Sequence, residues 1–245
     1  MEYLMLFLPL LFLVAFLYAS VGHGGASGYL ALMAIFSAAP EVMKPTALLL
    51  NLFVSLVSFA QFYRGGHFRW KLFWPFALAS IPLSFLGGLV LVDGTIYKKI
   101  LGVLLLVPIA RFLFFRHREV ETPETASLPL SLAAGGSIGF LSGLIGIGGG
   151  ILLSPVILLL RWANQKETAA ISALFIFVNS AAGLTGQLTK GVQFSSDMFG
   201  FVAIAFAGGL AGAYFGARRF PQAALKNILA MVLLLAVYKL LFTQA

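Results

Sequence analysis

Apolar stretches near the roughly 20 residues that a helix needs to cross a bilayer recur along the whole chain, and the short loops between them hold nearly all the charge. Inside lipid a backbone can satisfy its own N–H and C=O groups only as a helix or as a closed barrel. Alternation with period 2 is absent, and the runs are about twice the length of barrel strands. The fold class that follows is an all-α polytopic membrane protein. Composition agrees, because 60% hydrophobic residues against 10% charged leave too little polar surface to face water in a chain of 245 residues.

The net charge of +8 would suggest nucleic acid as a partner for a soluble protein. Here the basic residues sit between apolar runs, where they set orientation, so no nucleic-acid partner is expected. The absence of cysteine excludes disulfides, thiolate metal sites and cysteine nucleophiles. Only Glu2 precedes the first apolar run, so that run reads as a retained helix and not as a signal peptide.

The expected segments are Tyr3 to Val21, a short Ser27 to Phe36, Lys44 to Tyr63, Phe73 to Val92 and Lys98 to Phe115, then Leu128 to Ile145, a short Ile151 to Leu160, Glu167 to Gln187, Asp197 to Ala217 and Gln222 to Phe242. Each set of five has a long segment, a Gly-rich break, a short segment and three full spans. The halves also align. Gly22-His23-Gly24-Gly25 answers Gly146-Ile147-Gly148-Gly149, Lys44-Pro45-Thr46-Ala47 answers Lys166-Glu167-Thr168-Ala169, Ser58 falls opposite Ser180, and Gly87 opposite Gly212. Four matches in one order indicate an internal duplication. The expected organisation is a first membrane repeat over residues 1–115, a cytoplasmic linker over 116–127 that is the one charge-dense loop, and a second membrane repeat over 128–245.

An odd number of segments per half makes consecutive halves inverted, with each short segment a discontinuous or re-entrant helix. With the amino terminus outside, Arg64, Arg69, Lys71, Arg111, Arg116, Arg118, Arg161, Lys166, Arg218, Arg219 and Lys226 fall on the cytoplasmic side, and Lys44, Lys98, Lys99, Lys190 and Lys239 on the other. This bias follows the positive-inside rule, although the Lys98-Lys99 pair runs against it, and it places both termini in the periplasm of an inner-membrane protein.

The Gly-rich breaks are the places where chemistry is expected. Each glycine costs up to about 1 kcal/mol against alanine inside a helix, so the runs at Gly22, His23, Gly24 and Gly25 and at Gly146, Gly148, Gly149 and Gly150 need a reason. One reason is close packing of helices through small residues. The other is that each break frees the backbone N–H groups at the start of the following short helix, an end that carries about half a positive charge and attracts anions. Two breaks at equivalent places favour the second. In the following spans Asn51, Ser55 and Ser58 share one face, and Ser172 and Asn179, with Ser180 beside it, supply neutral hydrogen-bond donors in the other half. These residues are equally able to act as glue between helices. Thr46 and Thr168 read as helix N-caps first. Gln61 and Gln187 read as interfacial, and Glu41, Lys44, Lys166 and Glu167 as solvated loop charges. His23 is the one ionisable group expected near the midplane, a candidate to contact substrate, relay a proton or cap a helix. No carboxylate pair, metal cluster or nucleotide loop is evident, so no enzyme, metal site or cofactor is expected.

The run Gly139-Phe140-Leu141-Ser142-Gly143-Leu144-Ile145-Gly146-Ile147-Gly148-Gly149-Gly150, followed by Ser154-Pro155 and the Ala169 to Ser180 span, resembles the second-half signature of the TauE/SafE sulfite exporter family. Ala19 to Gly28 is similar to its first-half counterpart, but His23 and Ala26 replace the fuller glycine run, and Leu30-Ala31 stands where the second half has Ser154-Pro155. The resemblance implies transport of a small sulfur-containing anion, such as sulfite, a sulfonate or sulfoacetate, across the bacterial inner membrane. The expected function is thus a secondary transporter, in the export direction, whose two short-helix N-termini clamp the anion. A passive anion channel and a non-transporting membrane scaffold are the alternatives. The partners expected are the anion and the lipid bilayer, with a homodimer as the assembly allowed for.

Overall fold

A computed structural model describes residues 2–20, 25–114, 124–192, 196–212, 214 and 222–242. They form ten helices: α1 (Glu2–Ser20), α2 (Ala26–Ile35), α3 (Pro40–Arg64), α4 (Trp70–Leu89), α5 (Gly94–Phe114), α6 (Leu128–Ile145), α7 (Gly150–Leu159), α8 (Gln165–Leu188), α9 (Ser196–Ala211) and α10 (Gln222–Phe242). Among the described residues there is no strand. The protein is a polytopic helical membrane protein, in which α3, α4, α6 and α8 are long and apolar enough to span. Large apolar side chains such as Phe53, Leu78, Val103 and Leu235 point outward, while Asn51, Ser55, Ser84, Ser142 and Asn179 are buried. That distribution suits lipid as the solvent.

Among the helices that begin earlier than their apolar runs, two do so for evident local reasons. Pro40 stands in the first turn of α3 after an extended Ala39, where its missing N–H costs nothing. Asn164 and Glu167 form a reciprocal capping box at the start of α8, with bonds of 3.0 and 3.1 Å. Thr46 and Thr168, expected as N-caps, are therefore inside their helices. Thr168 Oγ1 donates back to Asn164 O at 2.7 Å, and Thr46 Oγ1 is buried without a partner. Pro45, which lacks a backbone N–H, lies within α3 beside Thr46.

Helices from the two halves interleave. α4 packs on α6 and α8, α9 packs on α1 and α3, α3 packs on α8, and α5 on α10. These pairs are unchanged when each helix is exchanged for its expected sequence equivalent, but α6 also packs on α8, and among the described residues α1 has no comparable contact with α3. Glycines let these backbones approach: a Cβ at Gly135 would stand 2.6 Å from Phe76 O, and one at Gly139 2.5 Å from Ser80 Cα, four residues along on each helix. Gly87 abuts the carbonyl of Phe140, and Gly212 abuts that of Phe16. Each of these two glycines thus lies in a close helix–helix contact. α3 and α8, equivalent in sequence, run in opposite directions, since Leu48 lies by Gly183 and Asn51 by Ser180.

The loops gather on two faces. On one, Arg69 Nη1 donates to Trp162 O at 3.0 Å and lies 3.5 Å from Glu167 Oε2, and Glu124 N donates to Arg161 O. On the other, Lys239 Nζ donates to Ile35 O and to Ser37 Oγ, and Lys98 lines a small cleft with Lys239 and Met43.

Candidate functional site

The second Gly-rich break is held mainly by helices other than the two it joins. α6 ends at Ile145, and Gly146, Gly148 and Gly149 then take left-handed φ values of +87°, +74° and +77°, a conformation that only glycine adopts without strain. Gly149 opens α7 with no side-chain cap. Tyr97 of α5 donates its hydroxyl to Ile145 O at 2.9 Å, satisfying a carbonyl at the end of α6, and the Lys44 ammonium rests 5.1 Å from the centre of the Tyr97 ring. A Cβ at Gly146 would meet the Lys44 backbone at 3.1 Å.

The break meets polar side chains of α3 and α8. Asn51 Nδ2 donates to Ser180 Oγ at 3.3 Å, joining α3 to α8, and a Cβ at Gly148 would lie 2.7 Å from Asn51 Nδ2 and 3.2 Å from Ser180 Oγ. Asn51 Oδ1, Ser55 Oγ and Ser142 Oγ are buried without partners. Because the Ser180 hydroxyl can donate as well as accept, the Asn51 amide can turn and offer its NH2 to a ligand. Asn179 donates to Phe175 O at 2.8 Å, its Oδ1 is unpartnered, and its backbone carbonyl accepts from Ser84 Oγ at 2.7 Å. Ser172 pairs with Ser154 at 2.7 Å, and a Cβ at Gly150 would meet Ser172 O at 2.8 Å.

The structure thus brings Asn51, Ser180 and Gly148 together and places Ser172 beside Gly150. Asn179 is tied to its own helix and to α4. In the first half Gly25 is left-handed at φ +84° and opens α2 without a side-chain cap. There the neighbour is aromatic: a Cβ at Gly25 would lie 2.5 Å from Tyr29 Cζ, and Tyr18 OH bonds Ser27 Oγ at 2.7 Å. Gly22, His23 and Gly24 lie outside the described residues.

Several polar partners escaped the sequence reading. Tyr97 and Ser84 act through backbone carbonyls of another helix, and nothing in their own segments marks them. Gln187, read as interfacial, is 4% exposed with both amide atoms unpartnered, whereas Gln61 is exposed. Lys44 packs on Tyr97 and Glu167 serves in a cap and an ion pair, so neither is a free loop charge. Among the described residues no group of three or more His, Asp or Glu could hold a metal. What remains at the junction is an uncapped helix start, hydroxyls and an amide, a set of neutral donors suited to a small oxyanion.

A family model described as sulfite exporter TauE/SafE matches residues 7–240. The chain is 39% identical to "Probable membrane transporter protein y4hK" of Sinorhizobium fredii over 94% of its own length and 95% of the relative's. It is 29% identical to "Probable membrane transporter protein MJ0441" of Methanocaldococcus jannaschii over 84% of this chain and 81% of that one. It is 26% identical to "Probable membrane transporter protein YunE" of Bacillus subtilis over 83% and 81%. No solved structure matches the chain.

Proposed function

Because the chain belongs to the sulfite exporter TauE/SafE family of membrane transporters, we propose that it exports a small sulfur-containing anion, such as sulfite, a sulfonate or sulfoacetate, across the bacterial inner membrane. The observation that carries this reading is the junction of Gly148 with Asn51 and Ser180, where the start of α7 meets the polar face of α3. An anion there replaces solvation by water with backbone N–H groups, the Asn51 amide and the Ser142 hydroxyl, with the unpartnered Ser55 hydroxyl one turn along α3, all neutral, so the empty site carries no buried charge. Neutral donors bind weakly enough to release the ion again, which a carrier requires.

Transport by a pore-free route then needs the two sets of five helices to rock about α3 and α8, which meet at this junction, driven by the anion's own gradient or by protons. The loop charges support a periplasmic side for both termini, and a homodimer is the assembly this reading allows for. A thermal-shift screen of the purified protein against sulfite, sulfate, thiosulfate, sulfoacetate, taurine and simple carboxylates at two pH values tests the reading. Stabilisation by the sulfur oxyanions, lost in Asn51→Leu, is expected. No shift with any anion would leave the glycines as packing devices and remove the basis for the proposal.

A further inference from the structure

On the face that carries Lys98 and Lys239, about 460 Å³ of empty space, part of it open to solvent, lies at the end of the seam between α3 and α8. Its wall comprises Glu41 and Lys44 from α3, Gly88 and residues 90–92 at the end of α4, and Gln187, Lys190 and Val192 at the end of α8. Two cations face one carboxylate. Glu41, one turn before Lys44 on α3, acts on that lysine electrostatically without closing an ion pair with it, and the second cation, Lys190, leaves the wall with a net positive charge. Lys44 is steadied over the Tyr97 ring at 5.1 Å. Gln187 is 4% exposed, and neither its Nε2 nor its Oε1 has a partner. An amide buried in that condition costs free energy unless something in the cavity bonds it.

The position is also suggestive of a route. Lys44 precedes Asn51 by seven residues on α3, and Gln187 follows Ser180 by seven on α8. Seven residues are two helical turns, about 10 Å, so both walls of the cavity descend to the same junction. Lys44 further contacts the break directly, through Gly146.

We propose that this cavity is a second, shallower binding site for a small oxyanion of the sulfite or sulfonate class, in which Lys44 and Lys190 supply charge and the Gln187 amide supplies hydrogen bonds. Binding there depends only on the cavity. The passage of the ion onward to Asn51, Ser180 and Gly148 rests on the transporter reading.

The chain has no cysteine, so Val192→Cys places a single thiol on the cavity wall. A sulfonate-bearing methanethiosulfonate reagent should label it faster than a cationic reagent of similar size, and millimolar methanesulfonate should slow that labelling. Adding Lys190→Gln, whose exposed side chain leaves the packing intact, should lower the anion-to-cation rate ratio about three- to tenfold, the effect of one unit charge at a solvated mouth. Gln187→Leu should keep the ratio and lose the methanesulfonate protection. A ratio unmoved by Lys190→Gln, or protection that survives Gln187→Leu, overturns the proposal. Sulfite flux into proteoliposomes is measured separately: protection without flux sinks the transporter reading alone, and flux without protection sinks this site alone.

Discussion

Gly148→Ala separates the cost of backbone conformation from the cost of lost space at the junction. Gly148, Gly66 and Gly191 share nearly the same left-handed backbone, with φ of +74°, +73° and +81°. A Cβ at Gly66 or Gly191 meets nothing within 4 Å, whereas one at Gly148 meets Asn51 Nδ2 at 2.7 Å, Ile176 Cγ2 at 2.9 Å and Ser180 Oγ at 3.2 Å. Alanine at Gly66 or Gly191 should therefore cost only the left-handed conformation, about 1–2 kcal/mol. At Gly148 the same penalty is joined by overpacking of about 1–3 kcal/mol, since α3 and α8 cannot both retreat. The Asn51 amide must also turn away from Ser180, so affinity for sulfite should fall with stability. Reversible unfolding in mixed detergent, followed by tryptophan emission, gives the three differences, and calorimetric titration gives the affinity. If Gly148→Ala matches Gly191→Ala in stability and binds sulfite as the parent does, the crowded junction is neither tight nor a site.

Further outcomes follow from the contacts. Tyr97→Phe keeps the ring under Lys44 but strips Ile145 O of its donor, and should lower unfolding free energy by about 1–3 kcal/mol in the same assay. Arg69→Ala removes both a half-exposed ion pair and the bond to Trp162 O, and should cost about 1–2 kcal/mol, while Asn164→Ala, which opens the capping box of α8, should cost about 1 kcal/mol. Gly143→Val drives a side chain into the backbone of Ser84 and should abolish recovery of folded protein from membranes, whereas Gly200→Ala, in open space, should be recovered normally. Asp93 Oδ1 accepts from the amides of Thr95 and Ile96, and these bonds hold its carboxyl below the ordinary value of 3.8. Its folded-state pKa being depressed, its contribution is present above 3.8 and lost as pH falls through the folded value; the difference in melting temperature between the parent and Asp93→Ala should narrow on acidification from pH 6 to pH 3.

The helices were legible because a membrane imposes a length, and Leu128–Ile145 and Gln222–Phe242 occur with the expected ends. Where apolar length was a poor guide, a cap decided instead, as at Pro40 and Asn164. The polar face of α3 was legible from the spacing of Asn51 and Ser55, because polar residues in a span have few reasons to be there. Tyr97, Ser84 and Gln187 were not, since their roles depend on which helix lies opposite. Hydropathy carries no information about that partner. The four-residue spacing of Gly135, Gly139 and Gly143 carried some, and it is the spacing on which α6 docks against α4.

The interleaving of α4 with α6, and of α9 with α1, bears on how the molecule is made. Helices enter the membrane in order of synthesis, so α1 and α4 are delivered to the lipid before the surfaces that accept them have left the ribosome. Through that interval the carbonyl ridges of Phe12, Phe16, Phe76 and Ser80 face lipid or an insertion chaperone. Cutting the gene in the 116–127 segment should therefore yield fragments that degrade when expressed singly and reconstitute when expressed together.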